Sequence, residues 1–204
     1  MRVAILGGTG DFGRALAVRL REAGDDVVIG SRDAERARAT AEELGVQGQK
    51  NEATLPGADL VVLAVEASAA LATARGVGGA LTAPLLSVAS RIEFASGAAS
   101  PPSETTSLAE RVAESLDVPV VAGLHSLAAG KLLKKRPDED ALVCGNDRDA
   151  TELALELAAK VVAGRAIDAG PLACARALEG LTAAIVNVNR RYRAHAGIRL
   201  TGLP

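Results

Sequence analysis

Aromatic side chains are almost missing from this sequence. They make up 1% of it, as Phe12, Phe94 and Tyr192, and there is no tryptophan. A platform for single-stranded nucleic acid, which needs flat rings for base stacking, is therefore not expected. A basic surplus is missing too: the net charge of −2 and pI near 5.8 give no electrostatic footprint for nucleic acid. Cysteine is scarce. Cys144 and Cys174 lie far apart and form no C-x-x-C, so two reduced, partly buried thiols are expected. No apolar run reaches the roughly 18 residues of a membrane span. The first residues, Met1-Arg2-Val3-Ala4-Ile5-Leu6, enter a strand pattern at once and leave no room for a signal peptide. A soluble cytoplasmic protein without nucleic-acid or membrane partners is the expectation. With two histidines and neither H-E-x-x-H nor G-x-S-x-G, no metal site and no catalytic side chain are expected.

What the sequence does have is aliphatic. Hydrophobic residues make up 49% and charged residues 24% of 204 positions, enough for one domain, or one with a small appendage, around a core of Ala, Val, Leu and Ile. Val3-Ala4-Ile5-Leu6 reads as a buried strand, 11–23 as a helix stopped at Gly24, Val27-Val28-Ile29 as a second strand, and 33–44 as a charged helix closed by Gly45. Further strands are read at 60–65, 85–88, 118–122, 141–144 and 166–168. A helix is read at about 104–116 with Ser103 as its N-cap, another up to about Val162, and a long one from Gly170-Pro171 to about His195. The stretch 131–140 reads as charged surface. Strands alternating with helices imply right-handed βαβ units and an α/β fold with a mainly parallel sheet.

The strongest site signal is Gly7-Gly8-Thr9-Gly10-Asp11-Phe12-Gly13. Gly8, Gly10 and Gly13 satisfy G-x-G-x-x-G, directly after a strand and opening a helix, which is the context of a dinucleotide site in a Rossmann-type, doubly wound sheet. The helix N-terminus presents free N–H groups to the pyrophosphate. The second strand then ends in Ser31-Arg32 where NAD-binding proteins place a carboxylate for the ribose 2′-hydroxyl. A hydroxyl and a guanidinium, with Arg36 one turn further on, suit the 2′-phosphate of NADP(H).

Several motifs together resemble the NADPH-dependent oxidoreductases of coenzyme F420, a deazaflavin. They are the Gly-Gly-Thr-Gly loop, Ile29-Gly30-Ser31-Arg32, Leu124-His125-Ser126-Leu127, 143–147 (Val-Cys-Gly-Asn-Asp), 168–172 (Asp-Ala-Gly-Pro-Leu) and 179–182 (Glu-Gly-Leu-Thr). The tail at 188–199 resembles the actinobacterial branch. The resemblance implies direct hydride transfer between NADP(H) and the deazaflavin, in a cleft between a Rossmann domain (1–168) and a C-terminal helical segment (169–204). It carries NADP contacts onto Thr9, Ser31, Arg32 and Arg36, and deazaflavin contacts onto His125, Ser126, Leu127, Arg176 and Thr182. It also implies a homodimer involving the C-terminal helix, whose apolar positions include Leu178, Leu181, Ile185, Val186 and Val188.

The sequence departs from that family at one end. The nicotinamide half of the cofactor belongs beside Ala64, Val65 and Glu66, where the family has proline and an aromatic; here Glu66-Ala67-Ser68 follow. Ala89-Ser90-Arg91 replaces a proline-containing turn, Gly180 replaces a serine, and Ala128 stands where some relatives have proline. A reductase of another small acceptor, such as an imine or ketone, and a non-catalytic NADP(H)-binding protein are the alternatives. At Glu66 two roles are open: a charge beside the nicotinamide, or a cap on the following helix.

Overall fold

The computed structural model describes residues 1–203. The chain runs β1 (Arg2–Leu6), α1 (Asp11–Glu22), β2 (Asp26–Ser31), α2 (Ala34–Leu44), β3 (Gln47–Lys50), a 3₁₀ turn (Asn51–Thr54), β4 (Leu60–Leu63), α3 (Ala67–Gly78) and β5 (Leu85–Ser87). A hairpin follows, β6 (Glu93–Ala95) and β7 (Ala98–Ser100), then α4 (Leu108–Ala113), β8 (Val120–Gly123), α5 (Ala129–Lys134), β9 (Ala141–Gly145), α6 (Arg148–Val161), β10 (Ala166–Asp168), a second 3₁₀ turn (Leu172–Cys174) and α7 (Ala175–Tyr192).

Eight strands form one sheet in the order β10-β9-β8-β5-β4-β1-β2-β3. Six run parallel, and β9 turns antiparallel to β8, carrying β10 with it. The central strands β1, β4 and β5 are buried along both faces, and for that reason show no alternation in sequence. One apolar cluster lies under α1 and α6, and a second under α3 and α4. From β1 the chain goes to β2 on one side and later to β4 on the other. A crevice opens at this reversal, at the carboxyl ends of the strands.

The structure corrects the sequence reading in four places. β3 is a polar edge strand, Gln-Gly-Gln-Lys, with no apolar pattern to betray it. The hairpin turns at Ser96-Gly97, both with positive φ, and was invisible as a strand pair because its exposed residues carry no alternation. Ser107, rather than Ser103, caps α4: it forms a capping box with Glu110, each side chain bonding the other residue's backbone N–H, so the helix is shorter than 104–116. Finally, 131–140 is not all surface. It begins in α5, and Glu139 and Asp140 are buried. Asp140 pairs with Arg165 (2.8 Å) and accepts from Leu200 N (2.8 Å), so the tail after α7 folds back over it. Burial opposes its ionisation, but the Arg165 contact wins and holds the carboxyl well below the usual range.

α7 is locked to the sheet domain by polar contacts as well as packing. The buried Glu179 carboxylate accepts from Leu108 N and Ala109 N (both 3.2 Å), and the Asn187 amide bonds both backbone groups of Ala99 in the hairpin. Leu172, Ala175 and Leu178 share an apolar cluster with Ala122 and Cys144. Cys174 packs on that same cluster, so the two cysteines lie together in the fold; both are free thiols, and burial pushes Cys144 up to about 12. α7 ends at Tyr192, earlier than the sequence pattern suggests, because Arg193 takes a left-handed conformation.

Candidate cofactor and substrate cleft

The crevice is a cleft of about 790 Å³. Its floor is the loop between β1 and α1. Gly7 has φ +79°, and a Cβ there would sit 2.5 Å from Val65 Cγ1. A Cβ on Gly13 would sit 2.7 Å from Gly7 O, so only glycine lets α1 start this close under the loop. Gly7 N and Gly8 N both donate to Gly30 O (3.1 and 3.0 Å), fastening the loop to β2. Gly10 caps α1 without a side chain, so the first N–H groups of the helix stay open toward the cleft. Gly7, Thr9, Gly10, Asp11 and Phe12 line the cleft, whereas Gly8 packs on Ile29 and Gly13 on the loop itself, both behind the wall.

At the end of β2 stand Ser31, Arg32 and Arg36, all lining the cleft. Ser31 Oγ accepts from Asp33 N (3.2 Å), so its proton is free to be donated. Asp33 does not compete for the arginines: its carboxylate caps α2, accepting from Glu35 N (2.9 Å) and Arg36 N (3.2 Å). Arg32 and Arg36 are exposed and form no ion pair with any described residue. Asn51, which sequence reasoning missed, closes this end of the cleft. Its signal in the sequence was nil, because β3 itself was not legible.

The opposite wall is the segment after β4. Its apolar run was read to Val65, but the strand ends at Leu63, and Ala64, Val65 and Glu66 leave the sheet to line the cleft. Glu66 occupies the N-cap position of α3, yet its side chain makes no capping hydrogen bond and is exposed. The capping role finds no bond to support it.

The far end is built from three loops and α7. Leu124, a buried non-glycine residue with φ +64°, turns the chain sharply after β8 and delivers His125 to the cleft. That conformation costs about 1–2 kcal/mol. His125 is 8% exposed, and neither ring nitrogen has a hydrogen-bond partner. Burial pushes its pKa down to about 4, and the nearby Ala89 backbone opposes this without reaching hydrogen-bond geometry, so the ring is neutral at pH 7. Strain and unpaired polar atoms concentrated at one loop are what a ligand-binding site carries. Thr182 Oγ1 donates to His125 O (3.0 Å), and with that single proton spent, Ser90 Oγ must donate to Thr182 (2.9 Å). Ser90, His125, Leu127 and Thr182 therefore meet here. Ser126 is buried and, with the other side of His125, lines an apolar crevice between Leu142, Leu178 and Leu181, outside the cleft. Arg176, on the first turn of α7, is exposed and not among the lining residues.

The cleft thus offers an anion site on a helix N-terminus, a cationic pocket beside it, and a neutral polar end where Ser90, His125 and Thr182 meet. No cluster of metal ligands occurs among the described residues.

Comparison with known proteins agrees with this arrangement. Residues 2–90 match the family model described as NADP oxidoreductase, coenzyme F420-dependent. The F420-dependent NADP reductase of Methanothermobacter marburgensis is 38% identical, with all of both chains covered. That of Methanocaldococcus jannaschii is 31% identical over all of this chain and 99% of its own. A crystal structure from Arthrobacter sp. FB24, assigned to the same reductases, superposes with a TM-score of 0.85 at 27% identity, covering 99% of this chain and all of that one. Identity of this order over the whole length, in a chain whose glycine loop, arginine pair and histidine–threonine end share one cleft, places it in the family of F420-dependent NADP reductases.

Proposed function

We propose that the protein transfers a hydride directly between NADP(H) and the deazaflavin coenzyme F420. The observation that carries this is the single cleft in which a nucleotide site and a second, neutral polar site face each other. Bound together, the two coenzymes supply hydride donor and acceptor, and the protein supplies proximity, orientation and exclusion of water. Residues 1–168 hold the nucleotide through the glycine loop, Ser31, Arg32 and Arg36. The segment 169–204 completes the deazaflavin end through Thr182, opposite His125 and Leu127. Ser126 supports that loop from beneath, and Arg176, exposed outside the cleft, is left as a contact for the coenzyme's charged tail alone. Oxidation of NADPH should require the deazaflavin and bleach its visible band in equal amount. NADPH consumption with an imine or ketone, and none with the deazaflavin, would refute the assignment in favour of another acceptor.

We infer a homodimer in the cytoplasm. Phe94 on the hairpin is 61% exposed and Tyr192 at the end of α7 is 70% exposed, with Val188 exposed as well, an apolar set suited to burial against a second copy. A monomer by light scattering at high concentration would contradict this. No helix among the described residues is long and apolar enough to cross a membrane.

Glu66 bears on the direction of transfer. Its carboxylate is uncommitted at the β4 side of the cleft, where the nicotinamide half of a nucleotide lies in this fold. A negative charge there favours the cationic oxidised ring over the neutral reduced one, by a few kcal/mol at most before water screens it. Replacing Glu66→Gln should lower the affinity for NADP⁺ relative to NADPH several-fold. An unchanged ratio would leave Glu66 without a part in binding.

A further inference from the structure

Asn51 is the first residue past β3, and in the sheet Lys50 is the register partner of Ser31, so Asn51 stands directly beside the end of β2. It lines the cleft together with Ser31, Arg32 and Arg36, yet is only 6% exposed. Its Oδ1 is sealed from solvent and has no hydrogen-bond partner. The reason lies in Gly30. The amide rests on the bare Cα of that glycine, and a Cβ there would come within 2.6 Å of Oδ1. Oδ1 can only accept, and the Cα face of Gly30 on which it rests supplies no N–H or O–H donor. With its oxygen end sealed against β2, the nitrogen end of the amide, two N–H donors, is the end left to reach the cleft that Asn51 lines.

A donor beside a free hydroxyl and two unpaired guanidinium groups complements an anion. Resting on the assignment of this cleft to NADP(H), we propose that Asn51 is a further ligand of the 2′-phosphate and helps set the preference for NADP(H) over NAD(H). Arg32 and Arg36 are long and exposed, and must be ordered on binding; Asn51 is held in place by Gly30 beforehand, so its donor is preorganised.

The test is a pair of variants, Asn51→Asp and Asn51→Ala, with dissociation constants for NADPH and NADH measured by titration and the melting temperature measured without nucleotide. The aspartate keeps the shape but replaces the donor by a charge that repels phosphate. It should raise the NADPH constant by about ten-fold or more and leave the NADH constant unchanged or lower. The alanine should raise the NADPH constant several-fold, and it decides the matter if the aspartate variant fails to fold. Equal shifts for both nucleotides, or none, overturn the proposal. A wild-type protein that binds NADPH no better than NADH refutes the nucleotide assignment itself and Asn51 with it. A wild type that has the preference, beside variants that keep it, removes only Asn51.

Discussion

Arg32→Ala should raise the dissociation constant of NADPH by about ten-fold or more and barely move that of NADH. A charge-assisted hydrogen bond to phosphate contributes about 1.5–3 kcal/mol, and about 1.4 kcal/mol is a factor of ten. The structure raises the expectation above that for an ordinary surface arginine, because no ion pair among the described residues engages the guanidinium. The carboxylate next to it in sequence, Asp33, accepts from Glu35 N and Arg36 N at the start of α2, and Arg32 itself lines the cleft. Titration of both nucleotides against wild type and variant checks this. If the two constants rise together, Arg32 contacts a part of the nucleotide common to both, and the 2′-phosphate reading fails.

The second large effect is on stability, through His125. Its folded-state pKa of about 4 lies below the unfolded value of about 6.5, because burial disfavours the imidazolium. Between pH 6.5 and 4 the unfolded chain therefore binds a proton that the folded chain refuses. Stability is fully present above pH 6.5, falls as the pH drops through this window, and levels off below about 4. Over some 2.5 units the loss attributable to this one ring is about 3 kcal/mol. His125→Gln, which cannot titrate, should remove that part of the acid slope. Urea unfolding at pH 7 and at pH 4.5 would show it: the difference between the two pH values should shrink in the variant. A variant with the wild-type slope would mean that His125 is hydrated and ordinary in solution. The same neutrality matters for the cleft, since an uncharged ring has one donor and one acceptor and adds no net charge at that end.

The sequence alone determined the layered fold and the glycine loop that floors the cleft. Val3–Leu6 running into Gly7-Gly8-Thr9-Gly10 specifies a strand, a turn and a helix N-terminus over eight consecutive residues of backbone geometry, and the Ser31-Arg32 pair follows one strand later; local chemistry of that kind needs no tertiary information. The family resemblance, resting on contiguous motifs, was equally legible. What only the tertiary structure decided is everything that depends on distant segments meeting. Asn51 enters the cleft because a polar edge strand, silent in the sequence, pairs with β2. Ser126 follows His125 directly and Arg176 shares α7 with Thr182, yet a left-handed Leu124 brings His125 to the cleft and leaves Ser126 behind it, while helical phase turns Arg176 outward from the α7 that carries Thr182 inward. Glu66 could be read as a cap or as a cleft charge until the backbone showed it at the N-cap position with no bond made. The physical reason is common to all of these. Backbone turns and strand burial are set by neighbours in sequence, whereas the direction a side chain takes is set by what the rest of the chain leaves open around it.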